Sequence, residues 1–256
     1  MMRLLLLFSF SFFLLTSCND DSSKNAITPP APTSETTMDS ISVEMKTARD
    51  LLEKGETDEA MRMADAMIKK YPGQLDALSI KADALKAKGK GAEAVAVLEK
   101  AYALQPRDKE TAYNLAYEYA DTKSSKALSL TDTLIKYDKT ATVARAWYIK
   151  AYYFNQLKNE KEALRLYDSS IVADQNFLDA YFDKGRLLYQ QKNYTSAERA
   201  FARGQKFDPS NSLFYLWVGK TQEAMGNKQD AKANYQRAYA LDSSLTEAKD
   251  AAEKLE

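Results

Sequence analysis

The sequence predicts an all-α fold, a solenoid of about six helix-turn-helix repeats closed by a C-terminal capping helix, and three observations predict it. Alanine recurs at Ala60, Ala94, Ala127, Ala163, Ala197 and Ala231, in steps of 34, 33, 36, 34 and 34 residues. A period of this length marks one supersecondary unit copied end to end, each copy burying its apolar face only against its neighbours. Twelve residues before these alanines lie further small residues, Ala48, Ala82, Ala151, Gly185 and Gly219, with Ala116 one residue out of step. Small side chains in that register predict two antiparallel helices per unit, because helix axes approach closest where nothing larger than methyl lies between them. Turn and break residues recur in the same register and supply the third observation.

The first helix of each unit ends at Lys54-Gly55-Glu56, Lys88-Gly89-Lys90, Lys158-Asn159, Lys192-Asn193 or Met225-Gly226-Asn227. Glycine and asparagine tolerate the left-handed conformation that closes a helix, so they are expected to take it here. The second helix carries the periodic alanine. Four residues on, on the same face, come Ala64, Leu98, Thr131, Tyr167, Phe201 and Tyr235. Tyr71-Pro72, Gln105-Pro106 and Asp208-Pro209 then stop it, because proline disfavours helix in the residue before it. In the third unit the turn from Asp121 to Lys126 is one residue short, and Asp138-Lys139-Thr140 replaces the proline. A local irregularity is expected there.

These residues resemble the tetratricopeptide repeat: a large residue, a leucine and a small residue, then aromatics, alanines and proline at fixed places in a 34-residue unit. Trp147 falls on the family's tryptophan position, and Tyr181 and Tyr215 replace it in the next two units. The repeats read as 41–74, 75–108, 109–143, 144–177, 178–211 and 212–245, with residues 246–256 as the solvating cap. The resemblance implies a right-handed superhelix over residues 40–256.

The first residues are of a different kind. Arg3 precedes an apolar run from Leu4 to Leu15, too short to span a bilayer and laid out as a secretory signal. It ends Leu15-Thr16-Ser17-Cys18, which resembles the lipobox of bacterial lipoproteins. That resemblance implies removal of residues 1–17 and lipidation of Cys18, the chain's only cysteine. Residues 18–39 are polar, with Pro29, Pro30 and Pro32 clustered. They are expected to form a disordered tether reaching at most about 65 Å when extended. The expected location is the bacterial envelope, lipid-anchored, at the periplasmic or surface face of the outer membrane.

Composition narrows the function. Thirty-six basic residues balance 36 acidic ones, so no net field draws the chain to nucleic acid or anionic lipid. Histidine is absent, which removes the usual transition-metal sites and histidine-assisted nucleophiles. No glycine-rich phosphate loop is present. The expectation is a protein without enzymatic activity or cofactor, whose membrane contact is the N-terminal lipid anchor alone.

Function then falls to the inner face. In the family, the first helix of each repeat lines a concave groove through its second, fifth, sixth, ninth, twelfth and thirteenth places. Carried onto this chain, the resemblance assigns Tyr113, Asn114 and Tyr117 in the third repeat and Arg145, Tyr148, Tyr152 and Asn155 in the fourth. It adds Phe182, Asp183, Arg186 and Tyr189 in the fifth, and Trp217 and Lys220 in the sixth. The first two repeats offer smaller or charged groups, Met45, Arg49, Ser79 and Asp83. Rings interleaved with Arg and Asn suit a protein or peptide segment, since flat rings contribute contact area at low entropy cost. Trp147, Tyr153, Phe154, Tyr181 and Tyr215 are instead expected in the core.

The family's chaperone-binding members hold a carboxylate between Lys, Asn, Asn, Lys and Arg. Here those places hold Ser79, Asp83, Asn114, Arg145 and Ile149, a match too poor for an acidic C-terminus. The leading expectation is an envelope adaptor that assists assembly of an outer-membrane machine. The alternative is a glycan- or polysaccharide-associated surface lipoprotein, because Tyr and Trp platforms with Asp and Arg also suit sugars.

Overall fold

The computed structural model describes residues 34–255. Among them the chain forms thirteen α-helices, α1 (Ser34–Glu53), α2 (Thr57–Lys70), α3 (Leu75–Ala87), α4 (Gly91–Leu104), α5 (Lys109–Asp121), α6 (Lys126–Tyr137) and α7 (Val143–Gln156). There follow α8 (Glu160–Ala173), α9 (Leu178–Gln190), α10 (Tyr194–Phe207), α11 (Ser212–Ala224), α12 (Lys228–Leu241) and α13 (Thr246–Lys254). No strand occurs among the described residues. Each helix packs on the next, and α1 on α3, α3 on α5 and α5 on α7, so the helix pairs stack as an α-solenoid. Cys18 and residues 1–17 lie outside the described residues, as does most of the expected tether. Helix α1 nevertheless begins at Ser34, inside the stretch expected to be disordered. The proline cluster ends at Pro32, and nothing beyond it denies the backbone its helical bonds.

The periodic alanines are the points of closest approach: all six have no exposed surface. They sit with the small residue of the partner helix and the residue four places on. In the last two repeats that residue is Phe201 or Tyr235 and the small position has become glycine, whereas the fourth repeat keeps Ala151 with Tyr167. A Cβ built on Gly185 would lie 2.5 Å from Phe201, and one on Gly219 would lie 2.8 Å from Tyr235. Gly204 on α10 makes the same accommodation between repeats, facing Phe214 of α11. Helix α13 buries Ala248 and Ala252 against the end of the stack.

The helix ends follow the turn chemistry with one correction. Helices α2, α4 and α10 stop at the residue before Tyr71, Gln105 and Asp208, each followed by proline. Gly55, Gly89 and Gly226 take the expected positive φ. Asn159 and Asn193 do not. The left-handed residues are Lys158 and Lys192, at φ 61° and 60°. The asparagines instead cap the following helices, their side-chain oxygens accepting from Glu162 N and Ser196 N. An N-cap bond satisfies an orphaned helix donor, and a left-handed asparagine forgoes it.

The irregular third repeat is organised around Asp138, whose side chain is fully buried. Its carboxylate accepts from the Tyr113 hydroxyl at 2.9 Å, Lys109 Nζ at 2.9 Å, Thr140 N at 3.0 Å and the hydroxyls of Thr140 and Thr142 at 2.6 Å each. Burial alone would push the carboxyl up, but the bonds from Thr140, Thr142 and Lys109 outweigh it and hold it well below the usual range. Among the described residues no helix is long and apolar enough to cross a membrane.

Candidate functional site

Side chains of the first helices join repeat to repeat along one face. Arg49 on α1 bonds Asp76 on α3 at 2.5 Å, and Lys86 on α3 bonds Glu118 on α5 at 2.8 Å. From α7, Arg145 makes a two-bond fork with Glu110 at 2.8 and 2.9 Å and a third bond with Asn114 Oδ1 at 2.6 Å. Tyr148 donates to Asp183 of α9 at 2.8 Å. At the far end Lys220 pairs with Glu247 of the capping helix at 2.7 Å.

The rings on this face fall into two groups. Tyr117 and Tyr152 stack across α5 and α7 with centroids 5.0 Å apart and planes 11° from parallel, and Tyr148 continues the stack at 6.5 Å. The Lys86 ammonium lies 4.3 Å above the Tyr117 ring, and the Tyr152 hydroxyl donates to Asp121 at 2.6 Å. In the second group, Trp217 meets Phe182 and Tyr189 edge-on at 6.1 and 5.5 Å. The exposed Arg186 of α9 lies 5.6 Å over Trp217, and Lys220, one turn along α11 from that ring, lies 4.8 Å over it.

Between α3, α5 and α7 lies a cleft of about 280 Å³, lined by Ser79, Asp83, Asn114, Arg145 and Ile149 among others. The five places carried over from the chaperone clamp therefore converge, while their chemistry does not match. Asp83 faces the cleft with its carboxyl raised, chiefly by burial, with Lys86 opposing and Glu118 adding to the rise. Asp183 is also raised by burial, against the lowering effect of the Tyr148 bond and of Arg186.

Most of the sequence-assigned residues lie on this face, but they are not free. Tyr117, Tyr148, Tyr152, Phe182, Tyr189 and Trp217 are half-buried and lean on the cores beneath. Asn155 is half-buried near the end of α7. Tyr113 is corrected outright: it is 2% exposed, under the Arg145 guanidinium at 5.1 Å. Burial and the Asp138 bond push its hydroxyl up to about 12. The longer connection after α6 brings Asp138 onto the Tyr113 hydroxyl, and Tyr113 belongs to the core. Of the rings expected in the core, Tyr153 and Tyr181 are buried, whereas Trp147, Phe154 and Tyr215 are only partly so. Sequence reasoning missed Glu118. Its signal was legible as a lone acid within the apolar run Leu115-Ala116-Tyr117-Glu118-Tyr119-Ala120. Among the described residues no group of three or more His, Cys, Asp or Glu is gathered as for a metal ion.

A stack of helix pairs presenting a ring-lined face defines a repeat-protein class, and comparison with known proteins agrees. Family models described as tetratricopeptide repeat match residues 45–109, 171–212 and 213–245, and the chain belongs to that family. The unmatched interval contains the irregular third repeat. The chain is 27% identical over 206 residues to Tetratricopeptide repeat protein 1 of Schizosaccharomyces pombe, covering 74% of this chain and 20% of that one. It is 29% identical over 90 residues to the Protein SGT1 homolog of Bos taurus, covering 35% and 27%. The chain thus spans under a third of the length of these curated relatives. Among solved structures it resembles a tetratricopeptide repeat protein from Parabacteroides merdae, with a TM-score of 0.63 at 14% identity, covering 84% and 83% of the two chains. It also resembles PilW, described as a widely conserved type IV pilus biogenesis factor, with a TM-score of 0.62 at 16% identity, covering 81% and 95%. At such identities the likeness is one of fold.

Proposed function

We propose that this chain is a non-catalytic adaptor, tethered by a lipid on Cys18 in the bacterial envelope, that holds a polypeptide segment of a partner along α5, α7, α9 and α11. The observation that carries the groove is the run of rings on those helices, Tyr117-Tyr152-Tyr148 and then Phe182-Trp217-Tyr189, with Arg186 exposed between them. Rings held half-buried by a core beneath are already ordered, so a ligand that covers them loses little side-chain entropy on binding. The anchor rests on the lipobox-like sequence alone. Assembly of an outer-membrane machine is the role that the likeness to a pilus biogenesis factor supports.

Photo-crosslinking in cells tests the groove. A benzophenone amino acid at Arg186 or Tyr189 should capture a partner that one at Val172, 82% exposed on α8, does not. Capture from Val172 alone would refute it. Truncating Phe182 or Arg186 should weaken the captured partner by about 2 kcal/mol, roughly thirtyfold. Cys18→Ala should release the chain from the membrane fraction or stall its processing, and unchanged membrane retention of a cleaved chain would refute the anchor.

A further inference from the structure

We propose that the cleft between α3, α5 and α7 receives a cationic side chain, the ammonium or guanidinium of a lysine or arginine on the partner polypeptide. The proposal deepens the groove reading above and rests on it. Glu118 lines the cleft and is 5% exposed. One oxygen accepts from Lys86 at 2.8 Å, while the other, Oε2, is buried with no hydrogen-bond partner among the described residues. A buried carboxylate oxygen without a donor is costly, so a ligand that donates to it is favoured. Asp83 lines the same cleft, and its carboxylate makes no hydrogen bond among the described residues.

Volume and charge narrow the ligand. By the same measure one water needs only about 10–15 Å³, and the cleft's 280 Å³ leaves room for a side chain. The cations already present are occupied, Arg145 by Glu110 and Asn114, and Lys86 by Glu118. An anion entering here would meet the carboxylates of Asp83 and Glu118, while the two cations that could attract it are already paired. A cation meets two under-used carboxylates and the rings of Tyr117, Tyr148 and Phe177. Rings attract cations to their faces, as Tyr117 does Lys86. The cleft opens onto the tyrosine stack, since Tyr117 and Tyr148 belong to both. Residues flanking the basic side chain would therefore lie along the stack, which favours a polypeptide over a free amine.

Titrations of the full-length ¹⁵N-labelled chain in detergent test this. The probes are short alanine-serine peptides with one central lysine, arginine, acetyl-lysine or glutamate, and n-butylammonium chloride. The lysine and arginine peptides should shift the amide signals of Asp83, Tyr117 and Glu118 and bind about tenfold more tightly than the acetyl-lysine and glutamate peptides. Glu118→Gln should abolish that preference. Because Glu118 also holds Lys86, Asp83→Asn provides the second variant and should reduce the preference severalfold in a chain of unchanged melting temperature. If all peptides shift groove signals equally, the cationic receptor is refuted and the peptide groove stands. If none shifts any signal from α3 to α11, the receptor is refuted, and the groove is judged by the crosslinking result. If n-butylammonium binds as tightly as the lysine peptide, the site takes free amines and the peptide side chain is refuted as its occupant.

Discussion

At the N-terminal end of the array the paired helices α1 and α2 meet through Ala48 and Ala64, which share one core cluster. At the C-terminal end, α11 and α12 meet through Gly219 and Tyr235, a ring where the first repeat has a methyl. Between these extremes the second partner is Leu98, Thr131, Tyr167 and Phe201, a ring from the fourth repeat on, and the first shrinks to glycine only in the last two repeats. The same fold is thus built from two methyls or from a ring against a bare backbone. What the repeat conserves is the backbone approach at the periodic alanine, with the volume around it free to move from one helix to the other. The aromatic end also carries the second group of rings on the candidate face, Phe182, Tyr189 and Trp217. Phe201, the ring over Gly185, stacks on Trp217 at 5.6 Å, so the packing device and the candidate site touch.

The most severe break in this comparison is removal of the ring. Phe201→Ala should cost about 3–5 kcal/mol, because Gly185 opposite leaves nothing to fill the cavity. Trp147→Ala, at a residue that is only partly buried, should cost less. Equal losses in denaturant melts would mean that the glycine-ring pair is no special device. Because each repeat touches mainly its neighbours, hydrogen exchange should show the Phe201→Ala loss confined to α9–α11, with α1–α3 unchanged.

Filling the glycine comes next. Gly185→Leu should cost about 1–3 kcal/mol, since the added carbon meets the Phe201 ring and both helices must part. Ala64→Phe should cost a similar amount at the other end, and Ala48→Gly placed with it should recover part of the loss. Such recovery is a coupling energy measurable by a double-mutant cycle. Strict additivity would show that volume cannot be moved between the two positions. Gly73→Leu, with nothing within 4 Å of its built Cβ, is the neutral control.

Between the two ends, the third repeat replaces a proline stop by the buried Asp138. Asp138→Ala leaves Tyr113 and two threonine hydroxyls without their acceptor and should cost about 1–3 kcal/mol. The pH dependence has a fixed sign. The folded carboxyl titrates well below the ordinary aspartate value of about 3.9. Below that value the unfolded chain gains a proton that the folded one refuses. The stabilisation is thus complete above about pH 4 and falls as the pH drops toward the folded value. Acid melts of the parent should fall faster than those of Asp138→Asn, and parallel acid limbs would refute the role given to Asp138.

The architecture was legible because backbone approach demands small residues at fixed spacing and proline stops a helix wherever it stands. The turns were legible in position but not in detail: Lys158 and Lys192 take the strained φ because asparagine gains more as an N-cap. The site was less legible. Helical register locates the face, and it placed Tyr117, Tyr148, Tyr152 and Arg186 together, but it does not say how deep a ring sits. Tyr113 satisfies the register and is covered by Asp138 and Arg145, residues 25 and 32 positions away in sequence. Trp147 satisfies the core register yet stays partly exposed. Depth depends on connections between repeats, and no local period records those.

The smallest expected effect separates binding from packing at the stack itself. Tyr152 touches Tyr117 and Tyr148 through its ring and Asp121 through its hydroxyl. Burial and the Asp121 bond both hold that hydroxyl above the ordinary tyrosine range, so it is a donor, never a phenolate, at neutral pH. Tyr152→Phe keeps the ring contacts and deletes a partly exposed bond, which should cost about 0.5–1.5 kcal/mol of stability. Tyr152→Ala removes the ring as well, and because the ring is half-buried it should cost more. A partner lying on the ring face should bind Tyr152→Phe as it binds the parent and should lose affinity only with Tyr152→Ala. If Tyr152→Phe instead loses binding while keeping its melting temperature, the partner reads the hydroxyl edge and Asp121, and the contact surface shifts from the ring faces to the end of α5.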